Sequence, residues 1–188
     1  MKIIETSLPG VILLEPKRHG DSRGFFLETY RENAFKEAGI NGPFVQDNHS
    51  RSKRGILRGL HYQLTQPQGK LVRVASGAVF DVALDVRNGS PTFGQWFGAT
   101  LDEDNMRMMY IPPGFAHGFL VLSEIADFIY KCTDYYHPHS EQGILWNDPD
   151  LGVKWPITDV QLSEKDVNNP ILKEQPEELL PHFAETKP

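Results

Sequence analysis

The feature that most constrains this chain is a succession of short runs rich in Val, Ile, Phe, Tyr and Thr, each bounded by Gly, Pro, Asn or Asp. Candidate strands are Lys70 to Ala75, Ala78 to Val86, Gly94 to Leu101, Arg107 to Ile111, His117 to Leu122 and Ala126 to Thr133. Runs of this kind at roughly ten-residue spacing, with turn signals between them, predict an all-β sandwich or barrel. Upstream, Ile3 to Thr6 and Val11 to Leu14 read as strands around the Pro9-Gly10 turn. His19 to Gly24 reads as a loop before the strand-like Phe25 to Tyr30. Arg31 to Ala38 reads as one short helix, with Thr29 capping its start and Gly39 marking its end.

No repeat, low-complexity tract or linker divides the 188 residues, so one domain over 1–188 is expected, long enough to bury a core. From Leu162 the chain turns polar and partly helical, and the acidic stretch 173–188 is expected to be a peripheral tail. Several strand-like runs are apolar on both faces. In a sandwich that pattern can mark contact with a partner chain, and a homodimer is expected.

A net charge of −6 disfavours nucleic-acid or anionic-membrane partners. Basic residues nevertheless gather in the first half, which suits a pocket for a small anion. The one cysteine, Cys132, excludes an internal disulfide and fits a reducing compartment. With no signal-like apolar core at the start and no apolar run of membrane-spanning length, a cytoplasmic location is expected.

The chemistry concentrates on one stretch. His61 sits in the strand-like Leu57-Arg-Gly-Leu-His-Tyr-Gln63, with cations at Arg58, Lys70 and Arg73 around it. A histidine so placed exchanges protons near neutral pH, and the cations hold an anion beside it. On residues alone the alternatives stay open. His61 can be a core histidine, and Tyr130 a core tyrosine on an apolar strand. Lys70 and Arg58 can be surface cations, and Asp166 closes a Ser163-x-x-Asp166 capping box.

Gly55-x5-His61 and Pro112-Pro-Gly-Phe-Ala-His117 resemble the two motifs of the cupin superfamily, a jelly-roll β-barrel or sandwich that here would carry a few short peripheral helices. Many cupins bind a metal, but Gln63 stands where a second histidine belongs and no carboxylate follows at the glutamate position. The expectation is no metal and no cofactor. The resemblance narrows to the dTDP-4-dehydrorhamnose 3,5-epimerase family through Asp21 to Glu28, Phe44 to Ser50, Leu57 to Gln63, Gly69 to Arg73 and Pro91 to Trp96. It continues through Ile111 to Phe119, Tyr130 to Tyr136, Ile144 to Pro149 and Leu162 to Asp166, in family order.

The resemblance implies inversion at C3 and C5 of dTDP-4-dehydro-6-deoxy-D-glucose. Both carbons flank the C4 ketone, so each hydrogen becomes acidic once the enolate oxygen is stabilised. By the same resemblance His61 is the base, Asp166 its partner, Tyr130 the acid and Lys70 the cation at the ketone oxygen. Arg58 and His117 are substrate contacts, Tyr136 stacks on thymine, and Gln46, Asp47, Asn48, Glu141 and Lys165 complete the binding set. Arg23 and Glu28 match nucleotide contacts that the family commonly supplies from the partner subunit. Three other readings stay in view: a mono-epimerase acting at C3 or C5 alone, a non-catalytic sugar-nucleotide-binding cupin, and a metal-dependent cupin oxygenase.

Overall fold

A computed structural model describes residues 1–183. It is an all-β, cupin-like sandwich. In chain order the strands are β1 (Lys2–Glu5), β2 (Ile12–Glu15), β3 (Arg18–Asp21), β4 (Gly24–Leu27), β5 (Gln46–Lys53), β6 (Leu57–Gln63) and β7 (Lys70–Ser76). They continue with β8 (Ala78–Asp85), β9 (Trp96–Asp102), β10 (Met108–Ile111), β11 (Phe115–Val121), β12 (Ile125–Cys132) and β13 (Glu141–Gly143). The α-helices are α1 (Glu32–Glu37) and α2 (Glu164–Val167). One sheet runs β1-β2-β10-β7-β12-β5, the facing one β13-β6-β11-β8-β9, while β3 and β4 form a separate hairpin.

The inner faces meet in a core of Val72, Val74, Phe119, Phe128 and their neighbours. Both outer faces are also apolar, and the chain covers them itself. Over the five-stranded sheet, Leu172 and Leu180 pack with Leu60, Tyr62 and Val82. Over the six-stranded sheet, Phe35 of α1 and Ile40 pack with Leu14, Leu71 and Met108. The two-faced apolarity of the strands is therefore satisfied within one chain, and it carries no argument for a partner.

The C-terminal stretch corrects another expectation. Rather than lying at the periphery, it contributes Leu180, 6% exposed, to the core. Tyr62 Oη donates to the Leu179 carbonyl at 2.9 Å, which fastens the segment to β6. Residues 184–188 of the expected tail lie outside the described residues.

Three local readings also change. The expected loop at residues 19–24 is largely strand, because Arg18 to Asp21 pair with Leu27 to Gly24. Helix α1 begins at Glu32, with Arg31 at the N-cap position and no side-chain cap, so Thr29 does not serve. Gly39 does end it, at φ +83°. Strand β5 was absent from the expected set.

Candidate active site

A cavity of about 690 Å³ opens between the sheets. Its walls are built by strand alternation, which sends every second side chain inward. Strand β5 contributes Gln46, Asn48 and Ser50, β7 Lys70, β11 His117 and Phe119, and β12 Tyr130. From β6 come Arg58 and His61, three residues apart, a spacing that plain alternation would place on opposite faces. A bulge resolves this: His117 faces His61 and Phe119 faces Arg58, so β6 carries one extra residue between those pairs. The bulge needs glycine. A Cβ on Gly59 would stand 2.5 Å from Gly118 Cα, and one on Gly118 would stand 2.7 Å from the Arg58 carbonyl oxygen.

Asp166 reaches the same cavity by another route. The segment before α2 runs beside the start of β6, with Leu57 N donating to Gln161 O and Gln161 N to Gly55 O. Asp166 N then donates to the Ser163 side chain at 3.1 Å, so the capping reading holds for its backbone. Its carboxylate remains free to meet His61 Nε2 at 2.5 Å. Burial raises the Asp166 pKa, but the hydrogen bond and charge of His61, with the Ser163 and Gly59 donors, outweigh it and hold the carboxyl below its usual range. An ionised Asp166 fixes the tautomer with hydrogen on Nε2 and leaves the Nδ1 lone pair to accept a proton.

Tyr130 comes from the opposite sheet. Burial, reinforced by Cys132, pushes its phenol up to about 12, with Arg58 pulling the other way. It therefore stays protonated at neutral pH. Burial lowers the Lys70 pKa, against the pull of Cys132, Glu141 and Asp81. His117 Nε2 is held by Asp81 Oδ2 at 2.9 Å, and burial lowers its pKa more than Asp81 raises it. The His117 ring stacks on Phe128 with centroids 6.0 Å apart. Among the described residues no group of three or more His, Cys, Asp or Glu is placed to hold a metal.

The arrangement has the parts of a proton-transfer site acting on a carbonyl compound: a tautomer-fixed imidazole, a protonated phenol on the facing wall, and a cation between acidic neighbours. Comparisons with known proteins agree. Residues 5–174 match the family described as dTDP-4-dehydrorhamnose 3,5-epimerase. The dTDP-4-dehydrorhamnose 3,5-epimerase of Pseudomonas aeruginosa is 60% identical over 168 residues, spanning 88% of this chain and 93% of that one. The chain belongs to this family of epimerases. Its reaction class is isomerisation. A solved relative, dTDP-6-deoxy-D-glucose-3,5-epimerase from Legionella pneumophila in complex with dTDP-4-keto-L-rhamnose, superposes with a TM-score of 0.95 at 55% identity. That match covers 97% of this chain and 98% of the other. A 3′-monoepimerase from Streptomyces bikiniensis, in complex with dTDP-quinovose, shares the fold at a TM-score of 0.88 and 38% identity, covering 94% and 91%.

Of the residues the epimerase resemblance pointed to, His61, Tyr130, Asp166, Lys70, Gln46, Asn48, Arg58, His117, Tyr136, Glu141 and Lys165 all line the cavity. Asp47 does not. Alternation on β5 turns it to the outer face, where Lys131 Nζ binds its carboxylate at 2.9 Å. Arg23 and Glu28 also lie outside, Arg23 on the exposed turn of the hairpin, paired to Asp21, and Glu28 just after it, paired to Arg31. Sequence reasoning missed Ser50 and Ser163, which line the cavity, and Asp81 beneath it. Asp81 had a signal, a lone carboxylate inside the apolar run Val79 to Leu84.

Proposed function

We propose that the chain inverts C3 and C5 of dTDP-4-dehydro-6-deoxy-D-glucose, giving dTDP-4-dehydro-L-rhamnose, by acid–base catalysis through an enolate. The observation that carries this reading is that His61 and Tyr130 stand on strands of opposite sheets and line one cavity. Inversion requires a base on one face of the sugar ring and a donor on the other. His61 Nδ1 takes the proton, and the bonding pair moves onto the C4 oxygen. Lys70 stabilises the charge that develops there. Tyr130 donates from the other face, and the Arg58 guanidinium steadies the phenolate it becomes. Arg58 also offers its planar fork to the diphosphate, while Tyr136, half exposed at the mouth, offers a ring to thymine.

The nucleotide end is proposed to be completed by a second copy of the chain. Arg23 and Glu28 lie outside their own cavity, and the hairpin beside them shows Phe26 72% exposed, with its strands joined to neither large sheet. A buried lone thiol supports a reducing, cytoplasmic setting.

The test is proton NMR of the ketosugar in D2O. The wild-type chain should place deuterium at both C3 and C5 of the product. His61→Asn should lose about two to four powers of ten in turnover, and Tyr130→Phe should chiefly impair inversion at C5. Deuterium at only one carbon would assign a mono-epimerase instead. Normal turnover by His61→Asn would remove the base.

A further inference from the structure

Two inversions on one ring make a demand that one base and one donor do not meet. The first inversion breaks a C–H bond, leaves its electron pair on the enolate oxygen and places the proton on His61. A new C–H bond then forms with a proton from the opposite face. His61 is now a cation, and it must lose that proton before it can act at the second carbon. Asp166 already holds the hydrogen on Nε2, so the proton to be shed is the one on Nδ1.

We propose that Glu141 is the relay through which His61 sheds this proton between inversions, a role that rests on the epimerase reading above. Glu141 Oε1 lies 3.8 Å from His61 Nδ1. No other donor among the described residues engages Oε1, whereas Oε2 is held by Lys165 Nζ and by Tyr136 Oη at 3.0 Å. The carboxylate thus has one oxygen turned to the imidazole and one turned to two half-exposed side chains at the cavity mouth. Burial raises the Glu141 pKa, but Lys165, His61 and Tyr136 together bring it below the ordinary value, so the carboxylate is ionised and passes a proton on rather than keeping it. A gap of 3.8 Å is too long for direct transfer. One bridging water closes it, as does the tightening that catalytic contacts undergo when substrate binds. From Glu141 the proton passes to solvent, and Tyr130 regains one from solvent, so each inversion ends with both groups restored. Glu141 acts through His61 and is a positioning residue in that sense.

The experiment is a single-turnover reaction in D2O with enzyme in excess, followed by NMR, comparing the wild-type chain with Glu141→Gln. The amide keeps the shape and loses the basicity. The second inversion should slow by about tenfold or more relative to the first, so that a singly inverted ketosugar accumulates. Adding imidazole to the buffer should restore the second step, because a soluble base can accept the stranded proton. Unchanged kinetics, a rise in KM alone, or equal slowing of both steps without response to imidazole would each overturn the relay. If Glu141→Gln does not fold, Glu141→Asp, which withdraws the carboxylate by one methylene, carries the same comparison. A wild-type chain that incorporates deuterium at neither carbon would instead defeat the epimerase reading itself.

Discussion

Lys70 shows how one side chain is pulled two ways. A cation stabilises an enolate most strongly where water is scarce, but scarce water also weakens the ammonium's hold on its own proton. Burial lowers the Lys70 pKa, and Cys132, Glu141 and Asp81 partly restore it. The sign follows directly. A lowered pKa means the charged form is lost at a lower pH than the roughly 10.4 of an ordinary lysine. The alkaline limb of kcat/KM should therefore fall below that value. Lys70→Arg should remove the limb, even at reduced neutral-pH activity, since arginine keeps its charge. Asp81→Asn should move the limb further down, because it deletes a charge that favours the ammonium. Asp81 is suited to that role: His117 holds Oδ2, and Oδ1 is buried without a hydrogen-bond partner among the described residues. A pH–rate profile that stayed put in both variants would detach Lys70 from the reacting oxygen.

Among the elements, β6 decides whether the site exists at all. Its extra residue turns Arg58 and His61 to the same side, and the close approach of Gly59 to Gly118 permits it. Gly59 also sits at φ +118°, where a side chain is strained. Gly59→Ala should move the base by a fraction of its reach and lower kcat by about a hundredfold. Gly89→Ala serves as the comparison: it has positive φ but open space around its Cβ position, and should leave kcat near wild type. Equal activity in the two variants would mean that the bulge does not set the base. Sequence made β6 legible as a strand through its apolar run, and Gly59 within that run was the one letter that pointed to a bulge, without fixing its register. Strand β5 was illegible for a different reason. Its inward residues Gln46, Asn48 and Ser50 line a polar cavity, and its outward residues Asp47, His49 and Arg51 face solvent and the counter-ions Lys131 and Asp127 of β12. Burial alternates there with period two while polarity does not, so a pattern search finds no strand. Asp166 was ambiguous because both readings hold at once: its backbone N–H donates to the Ser163 cap at a helix start while its side chain holds a histidine 105 residues away.

For the whole molecule, the question is what completes the nucleotide end of the proposed site. Eleven of the expected site residues share a cavity; of the three left out, Asp47 is on the outer face of β5, while Arg23 and Glu28 lie on and just after the hairpin that, among the described residues, joins neither large sheet. That hairpin carries Phe25 and Phe26 at 49% and 72% exposure, with the Arg18 guanidinium 4.4 Å from the Phe25 ring centre. Apolar rings left bare on a ribbon are costly in water unless another surface receives them. If a second copy receives them, each cavity takes His61 from one subunit and Arg23 from the other, and the two kinds of damage can be separated. His61→Asn alone and Arg23→Ala alone should each be strongly impaired, the first in kcat and the second chiefly in KM. Co-expression of the two, with a different affinity tag on each, allows the mixed dimer to be purified. In it, one cavity combines the intact His61 of the Arg23→Ala subunit with the intact Arg23 of the other. The opposite cavity carries both lesions. Activity should return to about half of the wild-type value per dimer, with a wild-type KM, because one of two symmetric sites is restored. A mixed dimer no more active than the mean of its parents would place Arg23 in its own subunit's site or in none.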